Sequence, residues 1–216
     1  MQRETGNGVI TTKIIGITGP TGAGKTTALQ EVRRLGGCVI DCDAVYHNLL
    51  EQDEKLQEAL ERQFGPLRDK NGAIDRKKLG AIVFQDPEKL ELLNHVAQRA
   101  TVVKTRQLIG ECEQQNCPLA AIDAIALLES GLNQLCHATI AVLAPPEVRV
   151  RRIMNREGIS EEYAWSRVRA QKSEEFFSKN CDYVLQNNGT APEEFRGQVQ
   201  ALLQRILSGT VDLKEV

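Results

Sequence analysis

One run of eight residues constrains the fold of this chain more than any other feature. Residues 19–26 read Gly-Pro-Thr-Gly-Ala-Gly-Lys-Thr, which matches the pattern G-x-x-x-x-G-K-[S/T] at every fixed position. The apolar, β-branched run 13–18 before it predicts a buried strand, and apolar residues at helical spacing after it predict a helix. A glycine-rich loop between a strand and a helix is the arrangement that surrounds phosphate groups. The sequence therefore predicts a phosphate-binding loop in an α/β fold.

The chemistry of such a loop assigns a task to each of its residues. Backbone N–H groups turned inward donate to phosphate oxygens, the Lys25 ammonium lies at the β- and γ-phosphates, and the Thr26 hydroxyl binds magnesium. Lys25 is also predicted to be catalytic, because negative charge gathers on the phosphates during transfer. The expected ligands are the phosphates of a nucleotide and Mg²⁺. The residues of the loop predicted to bind the nucleotide are Gly22, Ala23, Gly24, Lys25, Thr26 and Thr27.

Acidic residues follow two of the other predicted strands. Asp123 ends the strand 119–123, where it is expected to hold the magnesium shell through water together with Thr26; the alternative is an ordinary strand-end aspartate. Asp41 and Asp43 follow the strand 38–40, at the edge where open α/β sheets gather their ligands. One of the two is expected to take a proton from an acceptor hydroxyl. The alternative for Asp43 is an N-cap of the helix that begins at Ala44.

Six arginines lie between residues 149 and 169. Guanidinium groups on a mobile lid suit the charge of a transferring phosphoryl group. Arg152 and Arg156 are the better candidates for this task, because they share a helix face four residues apart. Arg149, Arg151 and Arg169 are expected instead on a solvated helix face.

Five predicted strands alternate with helices, which predicts an α/β fold with a five-stranded parallel sheet flanked by helices. The remaining strands are expected at 139–143 and 182–185. We expect a single domain over residues 1–216. Its predicted parts are a core (13–43, 117–146 and 182–208), a helical insertion (44–115) and a lid (147–178) that consists of a pair of helices from Glu147 to about Ser178.

Composition excludes several classes of protein. The formal charge is −2, with 27 basic against 29 acidic residues, which argues against a nucleic-acid binder. No apolar run is long enough to span a membrane, and the polar start does not resemble a signal peptide, so the expected location is the cytoplasm. The six cysteines are expected to be free thiols, and the scattered cysteines and histidines predict no metal site made only of protein ligands.

Beyond the loop, an ordered set of short motifs resembles the dephospho-CoA kinase family over about residues 14–189. The family has Asp-Ala-Asp where this chain has Asp41-Cys42-Asp43. Most of the other matches are pairs or short runs that follow in the same order along the chain. They are Phe64-Gly65, 72–76 with Leu79 and Val83-Phe84, His95 with Arg99, Leu127-Leu128-Glu129, Arg152 with Arg156, Arg167 with Gln171, and 182–185 leading to Asn187.

The resemblance implies a P-loop NTPase fold and a phosphotransferase with an alcohol group as acceptor. The reaction it implies is ATP-dependent phosphorylation of the ribose 3′-hydroxyl of dephospho-CoA, the last step of coenzyme A biosynthesis. Asp43 is then the base or orienter of that hydroxyl, Arg156 a catalytic lid residue, and Arg152 and Asn187 nucleotide-binding residues, with Gly189 near the adenine. The insertion binds the acceptor. The residues implied for acceptor binding are Asp43, His47, Arg76, His95, Arg99 and Glu129.

The sequence departs from the family pattern at several acceptor and lid positions. His47 replaces a common arginine, Val96 a proline, and Phe177 a lysine, while Ile125-Ala126 stands where the family has Pro-Leu. A divergent branch of the family is the interpretation that fits. The alternatives are another small P-loop kinase, acting on a nucleoside monophosphate or a metabolite alcohol, and a nucleotide-gated switch or transport ATPase. The sequence leaves the oligomeric state open, with a monomer as the simplest expectation.

Overall fold

A computed structural model describes residues 11–189 and 191–212. The chain divides into two compact units. The helical unit is Asp41–Leu108, and the sheet unit comprises the described residues on either side of it. The predicted insertion at 44–115 overlaps the helical unit but is not identical to it.

The sheet unit is built on five strands in the spatial order β2-β3-β1-β4-β5. β1 pairs in parallel with both β3 and β4, and β4 pairs in parallel with β5. The predicted five-stranded parallel sheet is therefore confirmed. The strands are β1 (Lys13–Thr18), β2 (Cys38–Asp41), β3 (Leu119–Asp123), β4 (Ala138–Leu143) and β5 (Tyr183–Gln186).

Nine α-helices are found in the described ranges. In chain order they are α1 (Lys25–Arg34), α2 (Cys42–Gln52), α3 (Glu54–Phe64), α4 (Arg76–Val83), α5 (Pro87–Gln114), α6 (Pro146–Glu157), α7 (Glu161–Arg169), α8 (Glu174–Asn180) and α9 (Pro192–Leu207). A short 3-10 helix, Leu132–Leu135, precedes β4.

The central strands are hydrophobic on both faces, as expected of a covered parallel sheet. All six residues of β4 are buried, and β1 is buried after its first residue. The largest core cluster joins these strands to the apolar faces of α1 and α9, with Val32, Val199 and Leu203 at its centre. Burial of these faces fixes the position of α1, and so of the loop that precedes it.

The lid region differs from the prediction, because three helices stand where two were expected. Gly158 ends α6 in a left-handed conformation, and Ser160 then caps α7 by accepting a hydrogen bond from the backbone of Tyr163. Ser173 caps α8 in the same way. Each serine satisfies a backbone N–H that a new helix leaves without a partner, so each one starts a helix.

The helical unit has a core of its own. Leu60 and Leu67 are fully buried in it, packed with the apolar faces of the surrounding helices. Asp53 and Asp75 cap α3 and α4 through their carboxylates. No helix in the described part of the chain is long and apolar enough to cross a membrane.

The prediction that all six cysteines are free is wrong for two of them. Cys38, at the start of β2, forms a disulfide with Cys117, two residues before β3, and their Cα atoms are 6.4 Å apart. The two positions are 79 residues apart in the chain, so spacing gave no sign of the pair. Adjacent strands of the sheet bring them within the normal range for a disulfide. The cysteines at positions 42, 112, 136 and 181 are not joined in a disulfide.

Candidate functional site

The loop between β1 and α1 has the conformation that its glycines predict. Gly19, Gly22 and Gly24 all have positive φ angles, of 136°, 82° and 105°. A β-carbon at Gly24 would lie 2.2 Å from the side-chain nitrogen of Asn187, and one at Gly19 would lie 2.1 Å from the carbonyl oxygen of Val142. Only glycine fits these positions, because both the backbone angle and the space exclude a side chain.

The loop leads directly into the N-terminus of α1. Gly24 is the N-cap residue, and it has no side chain to accept a hydrogen bond from the first turn of the helix. The Lys25 ammonium donates to the carbonyl oxygen of Gly19 at 2.8 Å, so the lysine side chain folds back across the loop. Backbone donors, a helix N-terminus and an ammonium group therefore meet at one place, which is the electrostatic requirement for binding phosphate.

Asp123 lies on the strand next to this loop. β3 pairs with β1 in a register that places Asp123 opposite Ile17, two residues before Gly19. Thr26, in the first turn of α1, is exposed to solvent. The described residues include no cluster of three or more histidine, cysteine or acidic side chains placed to hold a metal ion. A hydroxyl and one carboxylate suit magnesium, which commonly completes its shell with water and substrate phosphates.

Arg152 and Asn187 join the loop from distant parts of the chain. Arg152 donates to the carbonyl oxygens of Gly22 and Ala23, both at 3.1 Å, and to the amide oxygen of Asn187 at 3.0 Å. The Asn187 side chain is buried and donates to Ala23 at 2.9 Å. Burial and the neighbouring Arg151 lower the pKa of Arg152 from its usual range. Both residues predicted to bind nucleotide thus contact the phosphate-binding loop.

Arg149 is the main correction to the sequence analysis. It was expected on a solvated face together with Arg151 and Arg169, and those two are exposed, but the Arg149 side chain is only 4% exposed. Its guanidinium donates to the carbonyl oxygen of Thr21 at 3.0 Å and to the side chain of Gln171. The series of arginines between 149 and 169 gives no sign of this contact. The contact exists because α6 packs against the loop, which the sequence does not specify.

Arg156 has different surroundings from Arg152, although both lie on α6. Its side chain is 60% exposed and pairs with Glu157 at 2.6 Å. Glu157 also pairs with Arg167 of α7. Hydrogen bonds from these two arginines lower the pKa of the Glu157 carboxyl, with Arg156 the larger cause. Arg156 and Arg167 thus form a surface cluster with Glu157, whereas Arg152, like Arg149, contacts the phosphate-binding loop.

Asp41, the last residue of β2, and Asp43 have different positions in the structure. Asp41 is the N-cap of α2, and its carboxylate accepts a hydrogen bond from the backbone N–H of Ala44 at 3.0 Å. Asp43 is in the first turn of the helix and is exposed. The alternative that Asp43 caps this helix is therefore wrong. Because the helix begins at Cys42, Asp43 belongs to α2 and not to the strand that ends at Asp41.

The other residues predicted for the acceptor are spread over both units. In the helical unit, His47 is exposed on α2, and Arg76, at the start of α4, pairs with Glu51 at 2.8 Å. Burial raises the pKa of the neighbouring Tyr46, and the charge of Arg76 opposes that rise. Glu129 is exposed in the sheet unit, in the segment that follows β3.

His95 and Arg99 line a groove of about 650 Å³ in the helical unit. The groove runs between α2, α3 and α5, and Leu49 and Leu56 provide apolar surface in it. Sequence analysis missed its other basic residues, which lie on helices at no recognisable spacing. The basic side chains that line the groove are Lys55, Arg62, Arg99 and Lys104. A concave site with apolar walls and several cations suits an elongated anion with an apolar part.

Comparison with known proteins covers nearly the whole chain. A family model described as dephospho-CoA kinase matches residues 13–193. A dephospho-CoA kinase of Thermus thermophilus is 37% identical over 196 residues, which cover 91% of this chain and 93% of the relative. A crystal structure from Thermus thermophilus superposes with a TM-score of 0.70 at 36% identity, covering 89% of this chain and 97% of that one. A dephospho-CoA kinase from Campylobacter jejuni gives a TM-score of 0.69 at 25% identity, covering 93% and 100%.

Proposed function

Because the chain belongs to the dephospho-CoA kinase family, we propose that it transfers the γ-phosphoryl group of ATP to the ribose 3′-hydroxyl of dephospho-CoA. The products are ADP and coenzyme A. The observation that carries this proposal is the extent of the family match, 13–193, which includes the helical unit as well as the phosphate-binding loop. The loop alone would not select an acceptor, because the same fold serves many reactions.

The nucleotide is bound by the residues around the loop. Backbone N–H groups of the run 22–27 donate to the phosphates, and Lys25 neutralises charge on the β- and γ-phosphates. Arg152 and Asn187 hold the carbonyl oxygens of Gly22 and Ala23, so those carbonyls face away from an anion. Gly189 follows Asn187 at the end of the sheet and is proposed to lie near the adenine.

Thr26 and Asp123 are proposed to hold a magnesium ion through the Thr26 hydroxyl and through water on Asp123. Their positions fit this task, since Thr26 lies in the first turn of α1 and Asp123 ends the strand beside the loop. A bound magnesium ion supplies positive charge that offsets the charge of the nucleotide phosphates. The carboxylate of Asp123 orients water in that shell.

The groove of the helical unit supports dephospho-CoA as the acceptor. Dephospho-CoA carries a diphosphate group and a long pantetheine arm, so it is anionic at one part and largely apolar at another. The basic residues Lys55, Arg62 and Arg99 suit the diphosphate, and the apolar wall at Leu49 and Leu56 suits the arm. The full set proposed for the acceptor is Asp43, His47, Arg76, His95, Arg99 and Glu129.

Asp43 and Arg156 are proposed to act on the chemical step. Asp43 is an exposed carboxylate with no capping task, so it is available to accept the proton of the acceptor hydroxyl. Arg156 is an exposed guanidinium on the lid, suited to the charge that develops on the transferring group. His47 and Val96 differ from the common family residues, and we propose that they affect how tightly the acceptor binds without changing the reaction.

One assay tests the proposed function directly. The protein is incubated with ATP, Mg²⁺ and dephospho-CoA, and coenzyme A is detected by mass. A parallel reaction uses the acceptor with its ribose 3′-hydroxyl removed and should give no phosphorylated product. Nucleoside monophosphates serve as the second panel of acceptors. Phosphorylation of one of them with none of dephospho-CoA would overturn the proposal.

A further inference from the structure

Both backbone polar groups of Thr21 are held by side chains from the lid region. The Thr21 N–H donates to the Gln171 side-chain oxygen at 3.0 Å, and the Thr21 carbonyl oxygen accepts from the Arg149 guanidinium at 3.0 Å. Arg149 also donates to the same Gln171 oxygen. We refer to these three residues as the Thr21 clamp. All of them lie in the sheet unit.

The orientation of Gln171 follows from these contacts. Its side chain meets two N–H donors, one from Thr21 and one from Arg149. Only the oxygen of the amide can accept both, so the amide must point its oxygen into the clamp. Gln171 therefore satisfies part of the guanidinium without bringing any negative charge to it.

Arg149 is a buried cation with no carboxylate partner within ion-pairing distance among the residues that the structure describes. None of the salt bridges among the described residues involves it. Burial lowers the pKa of Arg149, and the carboxylate that raises it is that of Glu174, which is exposed at the start of α8. Burying a charge without an opposite charge is costly, so proteins rarely keep such a group unless its charge is used.

The position of this cation indicates how its charge is used. Arg149 lies directly behind the phosphate-binding loop, since a β-carbon on Gly22 would lie 2.9 Å from its backbone oxygen. A charge in a poorly hydrated place acts over several ångströms with little screening. We propose that Arg149 is a positioning residue that fixes Thr21 and raises the positive potential of the loop toward a polyphosphate, and that Gln171 keeps that charge unneutralised. This rests on the proposed function only in that the loop binds ATP.

Gln171→Glu is the variant that separates charge from structure. A glutamate has oxygens in the same place, so both hydrogen bonds to the clamp remain, but it neutralises Arg149. A buried cation that gains a partner should not make the fold less stable, so the melting temperature should stay at or above that of the unmodified protein. Affinity for ATP, titrated calorimetrically without acceptor, should fall about tenfold, because one unit of positive charge near the phosphates is cancelled.

Two further variants complete the experiment. Arg149→Met removes the charge and the clamp together, and it should lower ATP affinity by more than Gln171→Glu while also lowering the melting temperature. Arg151→Met is the matched control, because Arg151 lies on the same helix as Arg149 but is exposed to solvent. The ATP affinity of this variant should stay within about twofold of that of the unmodified protein. Adenosine, which has no phosphates, should bind all four proteins alike.

The outcomes are distinct. A Gln171→Glu protein with unchanged ATP affinity overturns the proposal, as does an equal loss for ATP and adenosine, which would indicate general damage to the site. An unmodified protein that does not bind ATP overturns it as well. Failure to phosphorylate dephospho-CoA defeats the proposed function alone, because the titrations contain no acceptor.

Discussion

The side-chain nitrogen of Asn187 donates to the carbonyl oxygen of Ala23 at 2.9 Å, although the two residues are 164 positions apart in the chain. The same asparagine accepts a hydrogen bond from Arg152. The end of β5 and the lid helix α6 are therefore both attached to the phosphate-binding loop. A substitution that displaces the end of β5, α6 or the loop itself should therefore change the affinity for the nucleotide.

Gly24→Ala tests the space that this contact requires. The added methyl group would meet Asn187 at 2.2 Å, and the residue would have to keep a φ of 105°. We expect ATP affinity to fall at least about tenfold, with a lower melting temperature. Gly197→Ala is the matched control, since Gly197 lies in the middle of α9 with no atom near a new β-carbon. It should stabilise the protein by about 0.5–1 kcal/mol and leave ATP affinity unchanged.

Asp43→Asn tests the catalytic assignment. We expect kcat to fall by roughly 10²-fold or more, because the variant removes the charge that accepts a proton and keeps the shape. The ATP affinity should stay within about threefold of that of the unmodified protein, because Asp43 is not expected to contact ATP in the ground state. Asp41→Ala is the comparison. It removes the cap of α2 and should cost about 1 kcal/mol of unfolding free energy. A folded Asp43→Asn enzyme with normal kcat would exclude Asp43 as the base.

Arg156→Ala should lower kcat more than it weakens ATP binding. Its guanidinium is exposed and free of the loop contacts that Arg152 makes, so its contribution is expected as charge develops in the transition state. Steady-state rates and an ATP titration on the same preparation separate the two effects. Loss of ATP affinity at constant kcat would make Arg156 a ground-state contact instead. Lysine should not restore the rate fully, because it lacks the planar fork.

Titration of thiols checks the disulfide. Protein purified without reductant and then denatured should show four free thiols, and six after reduction, because Cys38 and Cys117 are joined. In Cys38→Ser the partner is released, so five thiols should react before and after reduction. Six reactive thiols in the unreduced protein would contradict the pairing.

Stability should depend on pH through His137. Its Nδ1 accepts a hydrogen bond from the backbone N–H of Ile14 at 2.9 Å, which requires a neutral ring nitrogen. Burial lowers the pKa of His137 from its ordinary value of 6.5; the charge of Lys13 acts in the same direction, and Glu113 opposes it. The stabilisation is therefore complete above the unfolded value of 6.5 and is lost as the pH falls below it.

The comparison for this prediction is His137→Leu. Urea unfolding should show the variant to be less stable than the unmodified protein at about pH 8, with a difference that shrinks toward about pH 5. Taking the difference between the two proteins cancels the titration of all other groups. A difference that stays constant over this range would show that the ring does not titrate in the way we expect.

Much of this fold was visible in the sequence because the signals are local. The strand Lys13–Thr18, the loop after it and the start of α1 are contiguous, and their conformation depends on glycines and apolar residues within a few positions. The start of α2, by contrast, was predicted two residues too late. Asp41 or Asp43 could cap α2, depending on the residue at which the helix begins. Apolar periodicity does not define a helix end to within one or two residues.

What only the tertiary structure decided concerns residues far apart in the chain. Arg149 has the sequence environment of a solvated helix residue, and it is buried because α6 packs against the loop. Cys38 and Cys117 are paired because β2 and β3 are neighbours in the sheet. Periodicity specifies which face of an element is apolar, and hence which elements form. It does not specify which elements meet, because a parallel sheet brings together strands whose order in space differs from their order in sequence.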